Sequence, residues 1–400
     1  MKPLKYSHTE LACYLGYITQ AAVNNLPPLL FLTFQRSFSV SIEAITALIT
    51  LNFGTQLVTD LVFSKLTDKI GYRVSAVTAH VLAFLGLMFY GVLPFVLPNP
   101  YIGLVIATLV NAVGGGLAEV LISPIVESLP GTQKSARMSL LHAMYCWGQV
   151  GVILISTLYF ATVGIAKWRY LFYAWSLLPL FNVFFFARVP LCKLVEENER
   201  DSVLDLLKRG AFWLMLLLML CSGAAEQAMA QWSSMFAESG LHVSKAMGDL
   251  LGPCAFGILM AVSRTFYGIF GGRLHLRRAL IISSVGCIVS YLLCGLSPSP
   301  ILSLIGCGLC GLSVGLMWPG VISLSSEHFP AGGTALFAFL ALGGDLGCLS
   351  GPGVTGMVSG TLERIGSGDI ALRMGLLAVI VFPALMTLGL IGLRKKKEIG

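Results

Sequence analysis

Long apolar segments separated by short polar stretches fill almost the whole chain. At a helical rise of 1.5 Å per residue, about 20 residues cross a hydrocarbon core roughly 30 Å thick. The segments are continuously apolar and do not alternate as the strands of a membrane β-barrel do. The pattern therefore predicts an all-α polytopic membrane protein.

The apolar segments predict twelve transmembrane helices, called spans one to twelve below. They cover residues 10–34, 43–66, 74–96, 101–128, 138–161, 170–187, 211–237, 249–270, 279–296, 300–325, 335–359 and 374–393. The division into six and six predicts an N-terminal bundle over residues 1–189 and a C-terminal bundle over residues 211–400. A cytoplasmic linker over residues 190–210 is expected to join them.

Composition agrees with a membrane protein, because 56% of the 400 residues are hydrophobic and 11% are charged. With the N-terminus inside, 19 of the 26 Lys and Arg residues fall on the inner side. Six fall outside, and Arg264 falls within span eight. By the positive-inside rule, this asymmetry predicts a multi-pass protein of the cell membrane with both termini in the cytoplasm. It also explains the net charge of +7 without nucleic-acid binding.

The sequence gives no sign of an enzyme, since no loop is large enough for a catalytic domain. Cys307 and Cys310 have the spacing of a redox or metal pair, but no His or acid lies beside them, which favours a simple helix contact. We expect no catalytic residue, metal or cofactor. A membrane-embedded enzyme would have to use Glu119 and His142. A receptor that binds without transport is a further alternative.

Two stretches repeat at an offset of 200 residues, which indicates an internal duplication. Gly71 and Arg73 align with Gly271 and Arg273. Ser123, Glu127 and Pro130 align with Ser323, Glu327 and Pro330.

The turn after span two, with Asp68, Lys69, Gly71 and Arg73, resembles the signature turn of the major facilitator superfamily. Ser64 and Tyr72 depart from that signature. The resemblance covers the whole chain and implies two pseudo-symmetric six-helix bundles. It also implies gating roles for Asp68, Arg73 and Glu127. Arg264 is interpreted as a gate residue or as one member of an ion pair.

Three carboxylates fall near the middle of predicted spans, namely Glu119, Glu226 and Asp345. A charge at the bilayer centre costs about 2.5–3.5 kcal/mol, so each is a candidate for proton coupling. Amide and aromatic side chains at similar depths predict a substrate site between the repeats. The predicted substrate-binding residues are Asn24, Asn25, Gln56, Tyr145, Gln149, Gln227, Gln231, Trp232 and Trp318.

The sequence from Ala22 to Leu26 and the Glu119–Pro124 segment are similar to the L-fucose–proton symporter family. This resemblance implies that Glu119 carries a proton coupled to sugar binding. The family's span-one aspartate falls at Pro28 here, and its span-four asparagine is Ser123. Glu226 or Asp345 is a hypothetical replacement for the missing acid.

Together these observations predict proton-coupled uptake of a sugar or similar small polar solute by alternating access. The energy source would be a proton gradient, with sodium as the alternative. We expect a monomer in a lipid bilayer with no nucleic-acid partner. Proton-antiport efflux of drugs or amphiphilic metabolites is the nearest alternative, and passive facilitation is another.

Overall fold

The computed structural model describes residues 4–130, 134–192, 206–270, 275–329 and 333–393. Within these ranges the chain forms helices joined by short turns and contains no β-strand. The predicted all-α class is therefore confirmed.

Each predicted span corresponds to one helix or to a broken pair of helices. The helices are Tyr6–Asn25 and Phe31–Phe38 (span one), Ile42–Ile70 (two), Tyr72–Val96 (three), Pro100–Ser128 (four), Lys134–Val163 (five), Trp168–Phe186 (six), Gly210–Met235 (seven), Lys245–Asp249 and Ala255–Phe270 (eight), Leu276–Leu296 (nine), Pro300–His328 (ten), Gly333–Arg364 (eleven), and Gly368–Ala378 and Val381–Gly392 (twelve). Among the described residues, nine helical segments are long and apolar enough to cross a membrane. They belong to spans two to five, seven to ten and twelve.

Residues with special backbone properties set several helix ends. Gly71 closes span two and opens span three at φ +93°, a conformation that glycine adopts without strain. Asn99 accepts a hydrogen bond from the backbone N–H of Tyr101, and Pro100 occupies the first helical position of span four. Span one is interrupted after Asn25 by a 3-10 turn over Pro27–Leu30. This break frees backbone carbonyls of span one for contacts with other spans.

The residues group into two compact units. The first unit comprises Met1–Glu197 with Gln231–Ile258, and the second comprises Asn198–Ala230 with Leu259–Gly400. The predicted division into two bundles with a linker stays a prediction, and most of that linker lies outside the described residues.

A buried histidine holds three helices of the first unit together. The amide of Asn182 in span six donates to Nε2 of His80 in span three at 2.8 Å and to the carbonyl of Ala12 in span one at 3.0 Å. The Nδ1 atom of His80 lies 2.8 Å from the carbonyl of Ala76, one turn earlier in the same helix. Both ring nitrogens of His80 and the amide nitrogen of Asn182 therefore have hydrogen-bond partners, as is usual for buried polar groups.

In the second unit, spans seven and eleven approach closely at small residues. A Cβ on Gly347 would lie 2.1 Å from the carbonyl oxygen of Leu220, and one on Gly351 would lie 2.1 Å from that of Ala224. Glycine at these positions lets the two backbones touch, as is usual between membrane helices. Tyr291 of span nine adds a hydrogen bond of 2.7 Å to the carbonyl of Ala225.

Candidate functional site

The break in span one exposes backbone carbonyls that other spans satisfy. Pro27 and Pro28 have no N–H, so the carbonyls of Val23 and Asn24, four residues earlier, lose their helical donors. Asn111 of span four donates to the Val23 carbonyl at 3.2 Å, and Gln231 of span seven donates to the Asn24 carbonyl at 3.2 Å. Two buried amides thus replace two hydrogen bonds that the prolines remove.

Lys245, at the start of span eight, supplies a third contact to the break. Its ammonium group donates to the carbonyl of Leu29. It also donates to Ser234 and Asp249, each at 2.9 Å, and forms an ion pair with Glu238 at 2.9 Å. A cation is favourable here because the end of a helical segment carries a partial negative charge.

The carboxylate of Asp249 is fully buried and accepts a hydrogen bond of 2.6 Å from Ser234. Single π-helical turns over Phe236–Gly240 and Leu250–Cys254 lie on either side of this charge network, and such turns are frequent at functional sites. This network was not predicted from the sequence. The spacing of Lys245 and Asp249 by four residues was the signal that could have indicated the pair.

The side chain of Asn24 brings two spans together. Its Oδ1 atom accepts from Gln56 at 2.8 Å and from Asn52 at 3.3 Å, both in span two. Asn24, Asn52 and Gln231 line a cavity of about 20 Å³, which is large enough for one water molecule. The amide of Asn25 instead donates to the carbonyl of Ala21 in its own helix. Of the predicted substrate-binding residues, Asn24, Gln56 and Gln231 therefore lie together.

Glu119 lies partly buried in span four, roughly 14 Å from the inner helix end at 1.5 Å per residue. Gln20 of span one donates a hydrogen bond of 2.5 Å to its Oε2 atom. One turn further along span four, Ser123 shares a hydrogen bond of 2.9 Å with the hydroxyl of Tyr17. The described residues give Glu119 no cationic partner.

Glu226 has a different environment in the second unit. Arg264 of span eight binds both of its carboxylate oxygens through one nitrogen, at 2.9 and 3.1 Å. The side chain of Glu226 is 7% exposed and that of Arg264 is 22% exposed, so the pair is largely removed from solvent. Arg264, expected as a gate residue or an ion-pair partner, thus contacts both oxygens of a predicted coupling acid.

The remaining predicted substrate-binding residues occupy varied surroundings. Gln149 of span five is buried, and its Nε2 donor has no hydrogen-bond partner in the described part of the chain. Trp232 is fully buried against Phe31, with ring centroids 6.1 Å apart. Gln227 is buried, and Tyr145 packs at the edge of the first unit's core.

Trp318 and Asp345 belong to adjacent spans of the second unit. The Trp318 ring lies against Gly344, where an added Cβ would come within 2.2 Å of it. Asp345 follows Gly344 directly in span eleven and is partly buried.

Arg73 binds the C-terminal end of span six. It donates to the carbonyls of Phe186, Ala187 and Val189, each at 2.9 Å. Cations are favourable at helix C-termini because several carbonyls there lack helical donors. The side chains of Asp68 and Glu127, the other predicted gate residues, lie outside the described residues.

The second unit repeats this arginine contact with a different residue. Arg277 donates to the carbonyls of Leu390 and Ile391, 113 and 114 residues further along, and Arg73 has the same separations from its first two acceptors. The structural counterpart of Arg73 is therefore Arg277. The predicted counterpart, Arg273, lies outside the described residues. Arg277 follows Arg73 by 204 residues, so this contact repeats at a separation four residues longer than the offset of 200 in the sequence.

The two serines that align at the offset of 200 each bind a tyrosine. The hydroxyl of Tyr267 in span eight donates to Ser323 at 2.7 Å, and Tyr17 in span one shares a hydrogen bond with Ser123 in the first unit. The two tyrosines are 250 residues apart and come from different positions in the predicted repeat.

The buried cysteines of spans nine and ten pair across the helices. The Sγ atoms of Cys294 and Cys307 are 3.7 Å apart, and those of Cys287 and Cys310 are 4.0 Å apart. All four are free thiols. Within the described ranges, no group of three or more His, Cys, Asp or Glu side chains could hold a metal ion.

Amides and carboxylates inside membrane spans mark a functional site. The sequence matches the model of the Major Facilitator Superfamily over residues 13–352, and the chain belongs to that superfamily. A search of curated proteins gave no significant match.

Solved structures share the fold over nearly the full length. A D-xylose–proton symporter is 17% identical, with 95% of this chain and 97% of that chain covered and a TM-score of 0.77. A point mutant of the nucleoside transporter NupG is 14% identical, with 96% and 98% covered and a TM-score of 0.77. A bacterial homologue of the human lysosomal transporter Spinster, inward-facing and unoccupied, is 14% identical, with 96% and 97% covered and a TM-score of 0.74. At these identities, the likeness shows the fold alone.

Proposed function

We propose that this superfamily member is a secondary active transporter that couples uptake of a small polar solute to inward proton movement. The observation that carries the proposal is the contrast between two carboxylates within the spans. Glu226 is held by the guanidinium of Arg264, whereas Glu119 is held by the neutral amide of Gln20.

The contrast matters because the two acids respond differently to a proton. Protonation of Glu226 would break its largely buried ion pair with Arg264, which is costly. Protonation of Glu119 would leave only neutral groups among its described partners. Glu119 can therefore gain and lose a proton at a lower cost, as a coupling acid must. Asp345 is the second proposed coupling acid.

A polyhydroxylated solute, such as a sugar, suits the polar groups near span one. The amides of Asn24, Gln56 and Gln149 provide both donors and acceptors, and the Nε2 atom of Gln149 is a buried donor without a described partner. The xylose and nucleoside transporters named above act on solutes of this chemistry, and the Glu119–Pro124 segment resembles the L-fucose–proton symporter family.

We further propose that the protein works by alternating access as a monomer in the cell membrane, with both termini in the cytoplasm. The excess of Lys and Arg on the predicted inner side supports this orientation. A proton gradient would be the energy source, and no cofactor would be needed.

The test is uptake into proteoliposomes with a panel of labelled D-xylose, L-fucose, D-glucuronate and uridine. The expected result is accumulation of at least one solute under an inward proton gradient and its loss on addition of a protonophore. Liposomes without protein are the control. No uptake of any solute, together with pH-dependent movement of an amphiphilic dye, would favour the efflux alternative.

A further inference from the structure

A vestibule of about 820 Å³ opens at the end of the first unit that the charge pattern predicts to face outward. It lies among the ends of spans one and three, the start of span six and the segment between spans seven and eight. Sites for small molecules usually measure about 300–1,000 Å³. The vestibule therefore has room for one sugar-sized solute.

Basic side chains line the vestibule. Arg36, Arg169 and Lys245 reach it from three separate parts of the chain. Glu238 is the one carboxylate among its described lining residues, and it is paired with Lys245. Lys245 also pairs with the buried Asp249, so three cations and two carboxylates leave a surplus of one positive charge.

These cations are unusual for their side of the membrane. The predicted outer loops carry six of the 26 Lys and Arg residues, namely Arg36, Lys167, Arg169, Lys245, Arg364 and Arg373. Three of those six line this single vestibule. Topology concentrates basic residues on the inner side, so a basic cluster on the predicted outer side needs another cause. Lys245 and Arg169 have partners within the fold, and an anionic ligand is the cause that would account for Arg36.

The two arginines differ in how firmly they are held. Arg169 donates to the carbonyl of Gly91 at 2.7 Å, and its guanidinium lies 3.8 Å from the centre of the Phe95 ring. Arg36 is exposed and makes no hydrogen bond or ion pair with the described residues, although its charge acts on Glu238. Arg36 is thus available to bind a ligand.

The wall beside these cations is aromatic. Phe38, Phe95 and Trp168 form a cluster with ring centroids 5.5–6.3 Å apart. The hydroxyls of Thr33 and Ser37 lie on the same lining. Trp168 is 3% exposed and packs behind the other two rings, whereas Phe38 and Phe95 keep apolar surface on the lining. Apolar surface combined with hydroxyls and cations matches a pyranose ring that carries a carboxylate.

We infer that the vestibule is an outer capture site for a sugar carboxylate such as a hexuronate, with Arg36 binding the carboxylate. This inference rests on the proposed uptake function and narrows its substrate class.

The test is equilibrium binding of labelled D-glucuronate and D-glucose to the purified full-length protein, with no gradient present. The variant is Arg36→Gln, and the matched control is Lys167→Gln, which removes a nearby outer cation that does not line the vestibule. Arg36→Gln should weaken D-glucuronate binding roughly tenfold, as expected for a charge-assisted hydrogen bond. Lys167→Gln should leave it unchanged.

Weaker glucuronate binding in Arg36→Gln, with glucose binding unaltered, supports the inference and also shows that the variant is folded. Equal glucuronate binding by wild type and Arg36→Gln would overturn it. Equally strong competition by inorganic phosphate would overturn the assignment to a sugar acid. Glucuronate binding without gradient-driven uptake would contradict the proposed function alone. Gradient-driven uptake of a neutral sugar without glucuronate binding would contradict this inference alone.

Discussion

Gln231 donates a hydrogen bond to the carbonyl of Asn24, which is the carbonyl that Pro28 leaves without a helical partner. Asn111 donates a hydrogen bond to the carbonyl of Val23, which Pro27 leaves without a helical partner. A proline pair inside a membrane helix is tolerated when other groups satisfy the freed carbonyls. In the first unit, side chains of spans four and seven therefore fix the shape of span one beside the proposed polar site.

Replacing Gln231 with Leu should destabilise the protein by about 1–3 kcal/mol, because the Asn24 carbonyl would be buried without a donor. The measurement is the unfolding midpoint of the purified protein in detergent.

Pro28→Ala provides the matched control, since alanine restores an N–H four residues after Asn24. Gln231→Leu should lower the stability of the protein less in the Pro28→Ala background than in the wild type. Equal costs in both backgrounds would show that Gln231 does not act through this carbonyl.

Neutralising one member of the Glu226–Arg264 pair should destabilise the protein by about 3 kcal/mol, because a largely buried ion pair is broken. The double variant Glu226→Gln with Arg264→Gln should recover part of that loss. Thermal unfolding of the three variants provides the measurement. If the double variant loses as much stability as the two single variants lose together, the two charges act independently.

Arg73→Ala and Arg277→Ala should lower stability by similar amounts, about 1–3 kcal/mol, because both arginines bind the last carbonyls of a helix. Lysine should rescue only partly, because a single ammonium cannot reproduce the guanidinium fork. Unfolding midpoints and transport rates should be measured on the same preparations. An Arg73→Ala protein of wild-type stability that fails to transport would instead favour the predicted gating role.

The sequence was enough to predict the helical fold, because the hydrophobic length of each span is a local property of the chain. The confirmed all-α class rests on that signal, and the confirmed superfamily rests on it together with the turn from Asp68 to Arg73. The proline rule also shows which carbonyls are freed at Pro27 and Pro28. The donors that satisfy those carbonyls come from residues 88 and 207 positions away, and only the folded chain shows that they meet.

The side-chain partners that meet across helices could not be predicted from the sequence. Glu119, Glu226 and Asp345 stood out alike in the sequence as membrane carboxylates. Glu119 has an amide partner and Glu226 has a guanidinium partner. Which partner each acid meets depends on the rotation of its helix, and the hydrophobic periodicity does not fix that rotation because these spans are almost uniformly apolar. The sequence pairs Arg73 with Arg273 at an offset of 200 residues. The matching contact is made by Arg277, at an offset of 204 residues, so the sequence did not indicate it.

The most direct test of proton coupling compares wild type with Glu119→Gln in proteoliposomes. A transported solute identified from the panel would be followed in two assays, accumulation under an inward proton gradient and counterflow exchange without one. Glutamine keeps the size of the side chain and removes its acid. We expect Glu119→Gln to lose gradient-driven accumulation and to retain counterflow. Gradient-driven accumulation at the wild-type level in Glu119→Gln would contradict proton coupling through Glu119.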